Sequence, residues 1–402
     1  MAIKQLILSD EMEPLRFEQF IRFLKFQKWC CLQHFQITRD ELGRLYNTNE
    51  IIFYKTAVVH ICFFAGMFIE LGRGIFLGIP SNPNLPALFI GSFFSVRGVM
   101  LYIKHDDIMQ FLNVLDREFP HDTNAQKAIH APAFYERSQL RHKYVQILVQ
   151  FAIAGFCLAP PIVYALTRDI DGPIREEQQL LGGWLPFGIR DNHNLYVVAW
   201  FYDIVCSISG TAFFCTFDAI FNTMILQIIM HLDDLARRLQ CLDLTAEDDA
   251  QIYNQFCRLI RRHQYLNSLC DTLNSIFNTA IMLTDLLAAG AMCFHLYLVT
   301  ETKDFIMMSR YMIVGAALVG FTYEICLRGT QLEEASSQLN VVLYNQSWFV
   351  CDRKTRKLIL MWLKYTQNTK KLNAFGLMEL NMVHFTDIMN MAYRLFAFLK
   401  SA

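Results

Sequence analysis

Near the C-terminus, within 376–399, His384, Asp387, Asn390 and Arg394 follow one another at intervals of three, three and four residues. At 100° per residue these four fall within about 120° of one helical face, and Phe385, Ile388, Met389 and Ala392 occupy the others. An ionisable row in lipid is costly unless it meets protein or water, so it must face an interior. Two interiors fit. One is the helix's own bundle, with Asp387 and Arg394 neutralising one another. The other is an aqueous pore shared by several subunits, with Asp387 favouring cations and apolar Phe396 narrowing the outer end. Periodicity alone leaves both open.

No bond-breaking chemistry competes with these readings. The chain has no His-Glu-x-x-His, no phosphate-binding Gly-x-x-x-x-Gly-Lys-Ser/Thr and no Gly-x-Ser-x-Gly, and no strand precedes Gly72-Arg73-Gly74 to make it a dinucleotide site. We therefore expect no enzyme, no metal and no cofactor. His193 and the acidic residues Asp169, Asp171, Glu176, Glu177 and Asp191 read as a solvated outer loop.

The elements that must hold the polar row are set by hydropathy. With 54% hydrophobic and 18% charged residues in 402, the composition is too apolar for soluble domains. A net charge of −1 gives no reason to expect nucleic acid or another polyanion. Met1 to Glu13 lacks the pattern of a cleaved signal, so the N-terminus is expected to be kept. Seven apolar stretches are long enough to cross a bilayer as helices: 51–70, 85–103, 144–166, 196–229, 273–299, 305–327 and 376–399. Two of them, 196–229 and 273–299, exceed a bilayer and should project from it as helices. The fold expected is therefore all-α and polytopic, with seven transmembrane helices.

Sidedness follows from Lys and Arg. The N-terminal tail and the second, fourth and sixth loops carry 26 of them, against six on the other side. The N-terminus is thus inside and the C-terminus outside, the inverse of a G-protein-coupled receptor. The predicted outer segments hold no cysteine pair to oxidise, and the sequon Asn345-Gln346-Ser347 falls on the inner side, where glycosylation is not expected.

The outer halves of the second, third, fourth and sixth spans mix Phe89, Phe93, Phe94, Phe151, Phe156, Trp200, Phe201, Met307, Met308, Tyr311 and Met312 with small Gly91, Ser95, Gly155, Ala159, Ser207 and Gly315. Large apolar walls beside small residues suit a cavity for a small lipophilic ligand, and ordinary helix packing accounts for the same pattern. Arg97, at depth, needs a partner or a hydrated vestibule. Arg310, near the outer end, is expected to snorkel. The sixth loop, 328–375, reads as helix: Leu339, Val342, Leu343 and Gln346 have helical spacing, as do Leu358, Met361, Trp362 and Tyr365, with a break near Val350-Cys351-Asp352.

Tyr344-Asn345-Gln346-Ser347-Trp348, the run from Arg353 to Leu360, then Gly376, Phe385 and Asn390-Met391-Ala392-Tyr393 together resemble the insect odorant receptor family. The span count and sidedness match it over the whole chain. Two departures are Lys371, where the family often has Pro, and Ala392-Tyr393-Arg394, where Ser-Tyr-Ser is commoner. The resemblance implies an odorant-gated, non-selective cation channel, a heterotetramer of tuning subunits with a shared co-receptor, in the plasma membrane of olfactory dendrites. The loop at 231–271 lacks the co-receptor's large insertion, so this chain looks like a tuning subunit.

On that resemblance, 1–50 is a cytoplasmic segment, 51–327 holds six spans with the odorant cavity, 328–375 is the cytoplasmic anchor, and 376–402 carries the pore helix and the short outer end. The cavity would fall to Phe93, Phe94, Phe151, Gly155, Phe156 and Ala159, with Trp200, Phe201, Ile204, Met308, Tyr311 and Met312. The pore would fall to Asp387, Asn390 and Arg394, with Phe396 and Lys400 near its outer mouth. Contacts with neighbouring subunits would fall to Tyr344, Trp348, Leu358 and Trp362. A gustatory receptor channel shares the topology and differs in the C-terminal motif. A G-protein-coupled receptor fails on charge, and a secondary transporter fails for want of internal repeats, Pro160-Pro161 being the sole helix break of that kind.

Overall fold

The computed structural model describes residues 13–23, 25–78, 84–167, 181–185, 193–244 and 248–401. Met1 to Glu11 and the acidic residues Asp169, Asp171, Glu176, Glu177 and Asp191 lie outside them. The chain opens with a 3₁₀ turn (Phe17–Phe20), a short helix α1 (Lys25–Trp29) and an antiparallel pair of strands, β1 (Ile37–Arg39) and β2 (Leu45–Asn47). The remainder is helical. In order come α2 (Glu50–Leu77), α3 (Asn84–Ile103), α4 (His105–Glu118), α5 (Thr123–Ala128), α6 (Ala131–Thr167), α7 (His193–Gln240), α8 (Asp249–Glu301), α9 (Phe305–Asn345) and α10 (Arg353–Thr366). A minimal hairpin, β3 (Asn373–Ala374) with β4 (Met378–Glu379), leads into α11 (Met382–Ser401).

Among the described residues, α2, α3, α6, α7, α8 and α9 are long and apolar enough to cross a membrane. Helix α11 has 20 residues, about 30 Å, which also suffices to span, though its polar residues make it less apolar than the other six. The chain is thus a multi-pass membrane protein. Helices α7 and α8 have 48 and 53 residues, about 70 and 80 Å, so they run well past a bilayer, as the length of their apolar stretches predicts. They also occupy the centre: 72% and 61% of their apolar segments are buried within the chain, against 28–39% for the other four. The outer helices leave their remaining apolar faces for lipid or partner chains.

The projecting halves of α7, α8 and α9 pack with α4 and α10 into one large core around Leu115, Leu235, Phe256, Leu273, Leu339 and Ile359. Helix α10 starts where Asp352 accepts from the N–H groups of Lys354 and Thr355 at 3.1 and 2.9 Å, the N-cap chemistry that ends the break expected near 350–352. Outside the spans, burial against Phe213 and Thr56 pushes the His34 imidazole down to about 3.

The last helix begins at Met382, later than hydropathy places it. The reason is local. Phe375 and Gly376 both have positive φ, which turns the chain back at 373–379, and Asn381 then accepts from the N–H of His384 at 3.0 Å. Glycine at 329 makes the hairpin possible: a Cβ there would stand 1.8 Å from the carbonyl oxygen of Leu380.

Candidate functional site

A cavity of about 90 Å³ lies in the membrane half of the bundle. Helix α2 contributes His60 and Phe63, α3 contributes Ile90, Gly91 and Phe94, α6 contributes Val149, Ile153 and Phe156, α7 contributes Ser207, Gly210, Thr211 and Phe214, and α9 contributes Val314 and Phe321. Its wall is almost wholly apolar. Two glycines keep it open: a Cβ on Gly91 would lie 2.4 Å from the Phe63 ring, and one on Gly210 would lie 2.9 Å from Phe94.

The polar groups in and around it are already committed. Ser207 donates to the Asp203 carbonyl at 2.9 Å and Thr211 to the Ser207 carbonyl at 2.8 Å, both back along α7. His60 lies 2.6 Å from Ser95 Oγ through Nδ1 and 3.1 Å from Ser209 Oγ through Nε2. Ser209 donates its own proton to the Cys206 carbonyl at 2.9 Å, so its oxygen accepts from Nε2–H, and Nδ1 accepts from Ser95. The hydroxyl oxygens of Ser207 and Thr211 therefore offer acceptor capacity, and the imidazole N–H is spent.

The spans expected to enclose a cavity do so, joined by α2 and Leu181. Of the individual residues, Phe94 and Phe156 line it. Phe93 lies behind the wall, its ring 6.1 Å from that of Phe214. Ala159 is buried, Gly155 packs near Ile313, and Ile204 packs in the neighbouring apolar cluster. Trp200 joins that cluster and donates to the Cys157 carbonyl; Met308 is half-buried, and Tyr311 meets His295 edge-on at 6.2 Å. Phe151, Phe201 and Met312 are corrected outright: they are 62%, 58% and 53% exposed, because each stands on the side of its helix opposite the cavity face. Arg310 is corrected too. It does not reach outward but is buried, with its guanidinium 4.3 Å from the Phe156 ring centroid. His60 and Thr211 were missed, although a lone histidine in the first span was a visible sign.

Helix α11 divides its polar row. His384, Ile388 and Ala392 form the buried face, and His384 Nε2 meets Asp285 Oδ2 of α8 at 2.9 Å. Asp387, Asn390 and Arg394 share an exposed face, within about 60° of one another. Asp387 and Arg394 form no ion pair among the described residues. Phe396 is half-buried beside Tyr393, and Lys400 Nζ is tied to Glu301 of α8 at 2.8 Å.

Of the residues expected at subunit contacts, Tyr344 is exposed, while Trp348 and Leu358 are half-buried against the large core formed by the projecting helices. Trp362 is corrected: it is 3% exposed, and its Nε1 donates to His263 Nδ1 at 3.0 Å, so its own chain consumes it.

Comparisons with known proteins show the family and the fold. The family model for the 7tm odorant receptors matches residues 82–393. The chain is 39% identical to Odorant receptor 88a of Drosophila melanogaster over 97% of this chain and 98% of that protein. It is 20% identical to Odorant receptor 85b of the same species over 89% and 95%. The solved structure of the olfactory receptor OR5 from Machilis hrabei in complex with eugenol superposes with a TM-score of 0.74 at 15% identity, covering 92% of this chain and 94% of that one. That likeness extends to the fold. The chain belongs to the 7tm odorant receptor family, a family of receptors and not of enzymes.

Proposed function

We propose that this chain is the odorant-binding tuning subunit of a ligand-gated, non-selective cation channel assembled with a shared co-receptor. A small volatile enters the cavity between α2, α3, α6, α7 and α9, and α11 lines the pore. The carrying observation is the division of α11: His384, Ile388 and Ala392 are spent on packing, while Asp387, Asn390 and Arg394 stay on one exposed face that a lipid environment would penalise and a hydrated pore would accept. Exposed Tyr344 and its neighbours on the inner domain are the surface left for adjoining subunits.

The N-terminus lies in the cytoplasm and the C-terminus outside, and the complex sits in the plasma membrane of olfactory sensory dendrites. Gating is a population shift. A volatile of roughly ten heavy atoms brings at most about 1.5 kcal/mol per atom and usually far less, and only its difference in affinity between the two states shifts the balance, so closed and open states must differ by only a few kcal/mol. Whole-cell recording with and without an insect co-receptor, against a broad volatile panel and without added G protein, tests the proposal. A fast cation current requiring both chains is expected. Silence from channels shown to be at the surface, across the panel, overturns it.

A further inference from the structure

Arg97 of α3 is 2% exposed, and its Nε and Nη1 have no hydrogen-bond partner among the described residues. Three ring faces surround it instead: its guanidinium carbon lies 4.4 Å from the centroid of Phe93, 4.6 Å from Phe214 and 5.0 Å from Phe217. Such contacts hold a desolvated cation by its charge and impose little of the directional restraint of a hydrogen bond.

Its neighbours give this position its interest. Phe214 is also part of the cavity wall and lies 4.3 Å from Phe321 on α9, centroid to centroid. Asp218, one turn along α7, meets Arg141 of α6 at 2.7 Å. Asp285 holds His384 of α11. Both carboxylates attract the Arg97 charge. Arg97 thus touches a residue that the ligand would touch, and feels the charge of the residue that holds the pore helix.

We propose that Arg97 is the positioning residue through which occupancy of the cavity biases α11, by way of Phe214 on one side and the Asp285–His384 pair on the other. The proposal rests on the channel reading. A ligand that shifts the Phe214 ring changes the best position for the guanidinium, and the field at Asp285 changes with it. The pair Asp285–His384 then favours one seating of α11 over another. This is the requirement for coupling: an element with two arrangements whose balance both sites bias.

The test uses this chain with the co-receptor and a fixed panel comprising eugenol, 1-octanol and ethyl hexanoate within a wider volatile set, with surface protein quantified for every variant. Arg97→Gln is expected to lower the maximal evoked current per surface channel about tenfold while moving the half-maximal concentration of the best panel compound far less, and Arg97→Lys should recover at least half of it. In an Asn390→Cys background, the volatile-dependent change in the rate of thiol modification should vanish when Arg97→Gln is added. A maximum within twofold of wild type, or a volatile-dependent thiol rate that persists in the double variant, overturns the coupling. If Arg97→Gln fails to reach the surface, Asp285→Asn must reproduce the lowered maximum, and a maximum within twofold of wild type overturns the proposal. Absence of any current from the wild-type pair overturns the channel reading itself, and the coupling with it.

Discussion

The indole Nε1 of Trp200 donates at 3.1 Å to the backbone carbonyl of Cys157, the oxygen whose helical donor would be the N–H that Pro161 lacks. A proline break in α6 is thus satisfied by a side chain from α7, and the two helices are pinned beside the cavity. Replacing that donor leaves a buried carbonyl without a partner. Trp200→Phe should shift the half-maximal odorant concentration by about threefold to tenfold at unchanged surface expression, a cost of the size expected for one lost hydrogen bond. Coincident dose–response curves would show that the pin has no bearing on the site.

Phe94→Ala and Phe151→Ala separate the cavity from its surroundings. Phe94 lines the cavity, and Phe151 is exposed on the far face of α6. Phe94→Ala should change odorant sensitivity by at least about fivefold, and Phe151→Ala should leave it unaltered. The reverse order would place the ligand elsewhere.

Asp387→Asn removes the one acidic group on the exposed face of α11. Cation permeability relative to chloride should fall, read as a shift of reversal potential under a salt gradient. An identical reversal potential would remove Asp387 from the conducting path.

Gly329→Ala places a methyl group 1.8 Å from the Leu380 carbonyl, a distance no side chain tolerates. The obstacle is backbone, so it cannot swing aside, and the hairpin before α11 must move. Loss of most surface expression is expected, whereas Gly72→Ala, with open space around its Cβ, should behave as wild type.

Acid should destabilise the N-terminal segment through His34, whose imidazole is held down to about 3 by burial. The unfolded chain takes up its proton near 6.5 and the folded chain does not, so the stabilisation is complete above about 6.5 and lost as pH falls toward 3, at up to about 1.4 kcal/mol per pH unit. Thermal unfolding of the purified complex between pH 7.5 and 5 should therefore be less pH-dependent in His34→Gln than in wild type. Equal slopes would show that His34 is accessible to protons in the folded state.

The helices could be read from hydropathy because a bilayer demands long apolar runs, and α7 and α8 announced their projections by length alone. The rotation of each helix about its axis could not. Phe151 and Phe156 are the same residue type on opposite faces of α6, since lipid and cavity are equally apolar solvents for a phenyl ring. His384 stood within the polar row by spacing, and its removal from the exposed face depends on Asp285, 99 residues earlier. Trp362 was misassigned for the same reason: its partner His263 is also 99 residues away, and no local pattern reports it.

Helix α9 runs without interruption from its cap at Asp304, past Val314 and Phe321 in the cavity wall and Gly329 under the hairpin, to Asn345 beside the core of the projecting helices. Its 41 residues span about 60 Å, so a tilt of about two degrees pivoted at one end displaces the other by about 2 Å. Its length suits it to serve as a lever arm. On the proposed channel reading, a ligand too small to push anything far would need only to lean on that lever near the cavity, because the hairpin that sets the start of α11 rides on the same beam.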